Sequence, residues 1–335
     1  MKKLFAGALA FGLVLASVVS LTGLATTASV YAESAEGGQR NALQVTPSGA
    51  RLTFGPGEVL EGHAEHCPRG DDGCSLTVTN IGTGPIHFRV YISPYVVSGE
   101  ANELSFSEEN ATSYTQLSRW VEIQNEDGEW GKEAVFYAEP NEGKTVQYRI
   151  TTPEDMPGGS QYAVIWAQIM SDGESEGIET VGQIGAVLTG RSTENIVETA
   201  EISDYDFQKF AFNGPLTAQA TVKNTGNVDF AARYYYVAKT IFGKELYSNG
   251  EDDFVAAYPG TTYHIEHVWE DTPFLGIFQV EWKIVAADAE ETHSAVVIIM
   301  PIIVMIVMIL LLTVIIIWII IISRRRKELK ARKLV

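Results

Sequence analysis

Hydrophobic residues along this chain fall into two long runs, one near each end, with short bursts between them. The bursts begin at about Ala42. Examples are Leu76-Thr77-Val78-Thr79, Phe88-Arg89-Val90-Tyr91-Ile92, Thr145-Val146-Gln147-Tyr148-Arg149-Ile150 and Tyr162-Ala163-Val164-Ile165-Trp166-Ala167. They are rich in β-branched and aromatic residues, and several alternate with polar ones, which predicts β-strands. Gly55-Pro56-Gly57, Gly82-Thr83-Gly84-Pro85, Asp127-Gly128 and Pro157-Gly158-Gly159 punctuate them as turns. No long segment between the terminal runs has a helical period. Many short strands at this spacing predict an all-β fold built of immunoglobulin-like β-sandwiches.

An internal repeat predicts two sandwiches in tandem. Thr77-Val78-Thr79-Asn80-Ile81-Gly82 recurs as Thr221-Val222-Lys223-Asn224-Thr225-Gly226, and an aromatic-rich strand follows each copy. Further on, Pro153 to Gly159 leads into a strand at Tyr162, as Thr272 to Gly276 leads into Phe278-Gln279-Val280-Glu281-Trp282. The copies lie about 144 residues apart, so a whole domain is duplicated, not a short solenoid unit. The expected domains are residues 42–193 and 194–288, with a short stalk at residues 290–294.

The terminal runs set the topology. Met1-Lys2-Lys3, an apolar stretch from Leu4 to about Leu24, and Val30-Tyr31-Ala32 have the order of a secretory signal peptide, residues 1–32, cut after Ala32. An uncleaved anchor is the alternative. At the other end Ala295 to Ser323 carries no charge. Residues 295–322 are long enough for a transmembrane helix, since a bilayer core needs roughly 20 apolar residues. The tail, residues 323–335, is basic, with Arg324-Arg325-Arg326-Lys327 leading it. Basic flanks stay cytoplasmic, so the expected localisation is a single-pass plasma-membrane protein with its N-terminal part outside. No Leu-Pro-x-Thr-Gly-like sortase site precedes the apolar run.

Charge sharpens this picture. The chain carries a net −18, the leader +2 and the tail +6, which leaves −26 on residues 33–294. Such an exterior repels nucleic acid and suits solubility, cationic partners or divalent ions. Neither Asn125-Glu126-Asp127-Gly128-Glu129 nor Glu251-Asp252-Asp253 has the spacing of a calcium loop. No nucleophile elbow, His-Glu-x-x-His helix, phosphate loop or dinucleotide fingerprint is present, and no acidic pair singles itself out, so no enzyme and no cofactor are expected.

Cys67 and Cys74 are the two cysteines, both in the exported part, and are expected to form a disulfide. A zinc site from His63, His66, Cys67 and Cys74 is the alternative, although its spacing matches no standard finger. The same loop holds Arg69-Gly70-Asp71, an integrin-type tripeptide and thus a candidate adhesive loop. His264 and His267 are three apart on an expected strand, so they fall on opposite faces. For binding, Trp130, Tyr137 and Trp120 are the candidate aromatics. Trp120 also reads as core, while Trp166, Tyr162 and Trp282 sit in apolar strands and read as core.

Val45-Thr46-Pro47, Phe54-Gly55-Pro56-Gly57-Glu58, Val78-Thr79-Asn80, Leu117-Ser118-Arg119-Trp120-Val121 and Pro153 to Ile165 follow an order that resembles the first domain of the bacterial WxL-interacting surface proteins. The resemblance covers most of residues 42–190, and more loosely the second domain, residues 194–288, through Asn224-Thr225-Gly226-Asn227, Phe242-Gly243, Tyr258-Pro259-Gly260 and Trp269. Residues 63–74 depart from it as an insertion. It implies a peptidoglycan-binding, immunoglobulin-like first domain, a second domain associated with host material, and engagement of wall-bound WxL proteins. The expected partners are therefore the cell membrane and peptidoglycan or a wall-bound surface protein, through domain one. A host-cell adhesin using the Cys67–Cys74 loop, a structural subunit of a surface complex, and a wall-polymer enzyme are the competing readings.

Overall fold

A computed structural model describes residues 28–33, 40–62, 74–98, 103–106, 112–170, 182–250 and 253–332. The chain divides into two compact units between Val197 and Glu198. The first contains β1 (Ala28–Glu33), β2 (Arg40–Thr46), β3 (Gly49–Phe54), β4 (Val59–Leu60), β5 (Ser75–Asn80), β6 (Ile86–Pro94), β7 (Val96–Ser98) and β8 (Glu103–Ser105). The one-turn helix α1 (Leu117–Trp120) follows, then β9 (Val121–Gln124), β10 (Trp130–Gly131), β11 (Glu133–Ala138), β12 (Gly143–Thr151), β13 (Ser160–Ile169) and β14 (Gln183–Ser192). The second unit contains β15 (Ala200–Phe207), β16 (Phe210–Ala211), β17 (Leu216–Asn224), β18 (Phe230–Thr240), β19 (Glu245–Ser248), β20 (Phe254–Ala257), β21 (Thr262–Trp269), β22 (Gly276–Ala286), β23 (Ala289–Ile299) and the helix α2 (Ile302–Arg332).

Both units are immunoglobulin-like sandwiches, as the strand pattern predicts. In the first, a sheet ordered β1-β2-β5-β12-β9-β10, with β4 beside β12, opposes a five-stranded sheet ordered β11-β6-β13-β14-β3. In the second, β15-β17-β21 opposes β16-β23-β22-β18-β19, with β20 beside β18. The duplication extends to a detail. In each unit the leading segment switches sheets, so that β3 pairs parallel with β14 and β16 pairs parallel with β23.

Alternation drives these sheets. Leu76 and Val78 of β5, and Ala134, Phe136 and Ala138 of β11, point inward while their neighbours do not. Phe54, Phe88, Leu117, Ile123, Ile150, Ile165 and Leu188 are fully buried in the first core, and Trp269, Trp282, Val280 and Ile284 in the second. Burying each large apolar side chain contributes about 1.5–3 kcal/mol. Each unit therefore has its own core, which is the physical content of calling it a domain.

The C-terminal end differs from the expectation. Ala295 does not open a helix: Ala289–Ile299 is one 11-residue strand paired with β22 along its whole length, from Ala286↔Ala289 to Gly276↔Ile299. The proposed stalk at residues 290–294 lies inside that strand. Pairing with β22 sets that run into a strand, in which Val297 and Ile299 are buried against the core and Val296 is exposed. Met300 and Pro301 then separate the strand from α2, and Ile302–Arg325 is long and apolar enough to cross a membrane.

Candidate binding face of the first unit

An antiparallel sheet with one solvated face normally puts polar residues there. The outer face of the five-stranded sheet departs from this. On β6, Phe88 and Val90 are buried in the core, and His87, Arg89 and Tyr91 alternate with them on the outer side. Pairing extends each of these residues into a row. Tyr91 lies opposite Glu133 of β11 and Trp166 of β13, and Trp166 lies opposite Gly185 of β14. Arg89 lies opposite Val135 and Gln168, and Gln168 opposite Gln183. His87 lies opposite Tyr137.

Hydrogen bonds hold these side chains flat and close together. Arg89 donates through Nη2 to Gln168 Oε1 at 2.9 Å, and its guanidinium sits 4.6 Å from the centre of the Tyr91 ring. The Tyr91 hydroxyl donates to Gln183 Oε1 at 3.2 Å. Trp166 Nε1 donates to Ser93 Oγ at 2.8 Å, and Phe106 meets the indole edge-on at 5.1 Å. Beneath the indole, a Cβ on Gly185 would stand 3.0 Å from Trp166 ring carbons, so glycine is what lets the ring lie down. At the far end of the face the His87 and Tyr137 rings are 5.0 Å apart, and Tyr137 donates to Glu139 Oε1 at 2.6 Å. That bond raises the Tyr137 pKa, and burial raises that of Tyr91 against the opposing pull of Arg89, so both phenols are neutral at physiological pH.

Charge sets the face apart as well. Across β3, β6, β11, β13 and β14 the sequence carries one acidic residue, Glu133, against Arg51, Arg89 and Arg191. The surrounding exterior is strongly acidic. Flat rings flanked by a guanidinium, planar amides and an imidazole suit a ligand with alternating apolar faces and hydroxyl, amide or anionic groups.

The three aromatics picked from the sequence do not converge. Tyr137 belongs to the face just described. Trp130 lies on β10 at the edge of the opposite sheet, where the Arg149 guanidinium lies 4.6 Å from its ring centre and Arg149 in turn pairs with Glu122 at 2.7 Å. Trp120 ends α1 and packs against the core, its ring 6.0 Å from Phe54 and edge-on to it. Trp166, expected in the core, is half-buried on the outer side instead, and Tyr162, which shares its parity, is buried on that same side against Tyr95, with ring centroids 5.3 Å apart, rather than in the core; Trp282 is in the second core as expected. The missed signal lay in the spacing, because Trp166 shares parity with Gln168 rather than with buried Ile165 and Ala167.

Arg69, Gly70, Asp71 and Cys67 lie outside the described residues, as do His63 and His66. Cys74 is fully buried, and no described cysteine is free. Among the described residues no group of three or more His, Cys, Asp or Glu side chains is placed to hold a metal. His264 is exposed and His267 buried, on opposite faces of β21 as their spacing requires. An open groove of about 360 Å³ on the second unit is lined by Asp204, Gln219, Thr221, His264 and Glu266, with His264 Nδ1 2.9 Å from the Thr221 hydroxyl.

No family model and no curated protein matches the chain. Solved structures with a similar arrangement include the class 5 fimbriae chaperone CfaA, at 12% identity and a TM-score of 0.33, covering 77% of this chain and 99% of that one. The E. coli chaperone DraB follows at 13% and 0.31, covering 76% and 96%, and the Pseudomonas aeruginosa chaperone CupB2 at 11% and 0.30, covering 75% and 98%. Likeness at this level carries no functional argument.

Proposed function

We propose that this protein is a non-catalytic binding protein of a bacterial cell surface. In this reading α2 anchors it, with the basic residues 324–327 on the cytoplasmic side, and the first unit engages peptidoglycan or a wall-bound protein. The observation that carries the reading is the outer face of the five-stranded sheet, aromatic and nearly free of acid on an otherwise acidic exterior. Aromatic rings take the apolar faces of sugars, while Arg89, Gln168, Gln183 and His87 supply donors and acceptors for hydroxyls and carboxylates. Tyr, Trp and Arg are also the residues that dominate protein–protein contacts, so the same face serves a wall-bound protein partner. The resemblance of residues 42–190 to the first domain of the WxL-interacting proteins supports the choice of the wall.

Co-sedimentation of the detergent-solubilised full chain with purified peptidoglycan, and capture from a wall-protein extract, test this. Trp166→Ala and Arg89→Ala should reduce retention on whichever material binds, and Trp130→Ala should leave it unchanged. Retention on neither material overturns the proposal.

A further inference from the structure

The end of the second unit from which α2 leaves is unusually greasy. Register locates that end. Ile299, at the end of β23, pairs with Gly276 at the start of β22, and Thr240 at the end of β18 pairs with Phe278. Phe210 and Ala211 of β16 pair with Ile298 and Ile299, and Met300 N donates to Ala211 O at 2.9 Å. Three chain segments therefore surround the exit point: the β18–β19 turn, the loop before β22, and β16 with its continuation.

Each of them exposes large apolar side chains. Phe242 is 90% exposed and Ile241 60%, at the tip of the turn closed by Gly243 N to Thr240 O. Phe274 is 70% exposed beside Leu275, and Phe210 and Phe212 stand half-exposed with their rings 5.2 Å apart. Turn tips in soluble domains are ordinarily polar, and scattered single exposures need no explanation, but three converging ones do.

The length of α2 says what covers them. Ile302 to Ile322 is about 21 uncharged residues, or about 32 Å at 1.5 Å per residue, which matches the roughly 30 Å hydrocarbon core of a bilayer. Ile302 then sits at the outer hydrocarbon boundary. Two residues, Met300 and Pro301, separate it from Ile299, so the two lie three residue steps apart, a reach of at most about 10 Å. Phenylalanines surrounding Ile299 thus fall at the level of the headgroups and upper acyl chains, where amphipathic surfaces bury their apolar side.

We infer that Ile241, Phe242, Phe274, Leu275, Phe210 and Phe212 form a collar embedded in the outer leaflet, which seats the second unit directly on the bilayer. The collar rests on the membrane-anchored reading of α2. It removes the freedom of an ordinary stalk: the sandwich is held at the surface by its own loops as well as by the helix.

A photoreactive benzophenone side chain placed in the full chain at Phe242, at Phe274 and, as a control, at exposed Val59 tests it in membranes of the expressing cell. Both phenylalanine positions should gain the mass of one phospholipid on irradiation, and Val59 should not. Cross-links from both positions to a second copy or another protein, or the absence of lipid adducts, overturn the collar. Alkaline carbonate extraction separates the two readings. Release of the chain from membranes defeats the anchor itself, whereas retention without lipid adducts defeats the collar alone.

Discussion

Asn80 and Asn224, about 144 positions apart, make the same set of hydrogen bonds in the two units. Asn80 Nδ2 donates to Gly84 O at 2.9 Å and Ala138 O at 3.0 Å, and Gly82 N donates to its Oδ1 at 2.9 Å. Asn224 Nδ2 donates to Val228 O at 2.8 Å and Ala257 O at 2.9 Å, and Gly226 N to its Oδ1 at 2.9 Å. Their backbones match too. Asn141 and Gly260, both at positive φ, donate to the carbonyls of Asn80 and Asn224 respectively. A buried amide thus pins the turn after β5, or β17, to the strand opposite, and the duplication preserved the device with its chemistry.

Replacing either asparagine by alanine leaves buried backbone groups unpaired, at about 1–3 kcal/mol for each group. Asn80→Ala should therefore destabilise the first unit by roughly 3 kcal/mol and leave the second unchanged, and Asn224→Ala the reverse. Limited proteolysis in increasing urea, followed by mass spectrometry of each unit, reads the two separately. Equal loss in both units for either variant would show that they do not fold independently.

These asparagines also show what the sequence discloses. Val78-Thr79-Asn80 and Val222-Lys223-Asn224 announce the repeat because the turn needs a side chain with both donor and acceptor. The role of Asn141 was hidden, since Glu139-Pro140-Asn141 and Tyr258-Pro259-Gly260 share little beyond proline and a residue tolerant of positive φ. The binding face was harder still. β13 is apolar on both sides, and its parity decides whether Trp166 is core or surface only once its partners β6 and β14 are known. At the C-terminus, Ala295–Ile299 has the composition of either a strand or a membrane span. Only its pairing with β22 separates the two, and Pro301 is the punctuation that marks the change.

Gly185 is a test of the face that leaves the core alone. A valine there would bring its Cβ to 3.0 Å from the Trp166 ring and its methyls closer, which tilts the indole off the sheet. Gly185→Val should lower retention on the wall material while the thermal unfolding of the first unit shifts little, because the displaced ring is on the solvent side. Unchanged retention together with an altered Trp166 fluorescence would remove the indole from the binding face.

His267 gives the second unit a predictable response to acid. Its ring stacks on Tyr236 at 4.5 Å and lies 5.7 Å from Tyr247, and among the described residues its buried Nε2 has no hydrogen-bond partner. Burial lowers its pKa below the ordinary histidine value, with Asp253 pulling the other way. The unfolded chain takes up the proton near pH 6.5 while the folded one resists, so the neutral ring contributes fully above that pH. Stability of the second unit should fall as pH drops below about 6.5 and level off once the folded state also protonates. Urea midpoints between pH 7.5 and 5 check this, and His267→Phe should flatten the profile over that window.

For the cysteines, the intact chain should weigh two hydrogens less before reduction than after it. Cys74 is fully buried at the head of β5, its amide bonded to Gly62 O and its carbonyl accepting from Tyr148 N. Cys74→Ser places a hydroxyl in that apolar site and should cost the first unit about 1–3 kcal/mol more than Cys67→Ser. Equal costs would mean that the covalent link alone matters.

The leader poses a last question for the first unit, because its expected cleavage point falls inside a strand. β1 pairs antiparallel with β2 from Ala28↔Val45 to Glu33↔Arg40. A cut after Ala32 removes all but one of those residues and turns β2 into the edge of its sheet. Ala42 O accepts from Ile81 N on the β5 side, so alternation directs the Leu43 and Val45 amides toward the vacated side. In a chain beginning at Glu33, these two amides should exchange with solvent faster than in an Ala32→Leu precursor, whose bulky residue at the cut blocks processing. Hydrogen exchange with fragment-level mass spectrometry on both purified chains measures the difference. Equal exchange in the two, with the N-termini confirmed by intact mass, would mean that β1 contributes no lasting pairing and that β2 is the working edge of the sheet from the start.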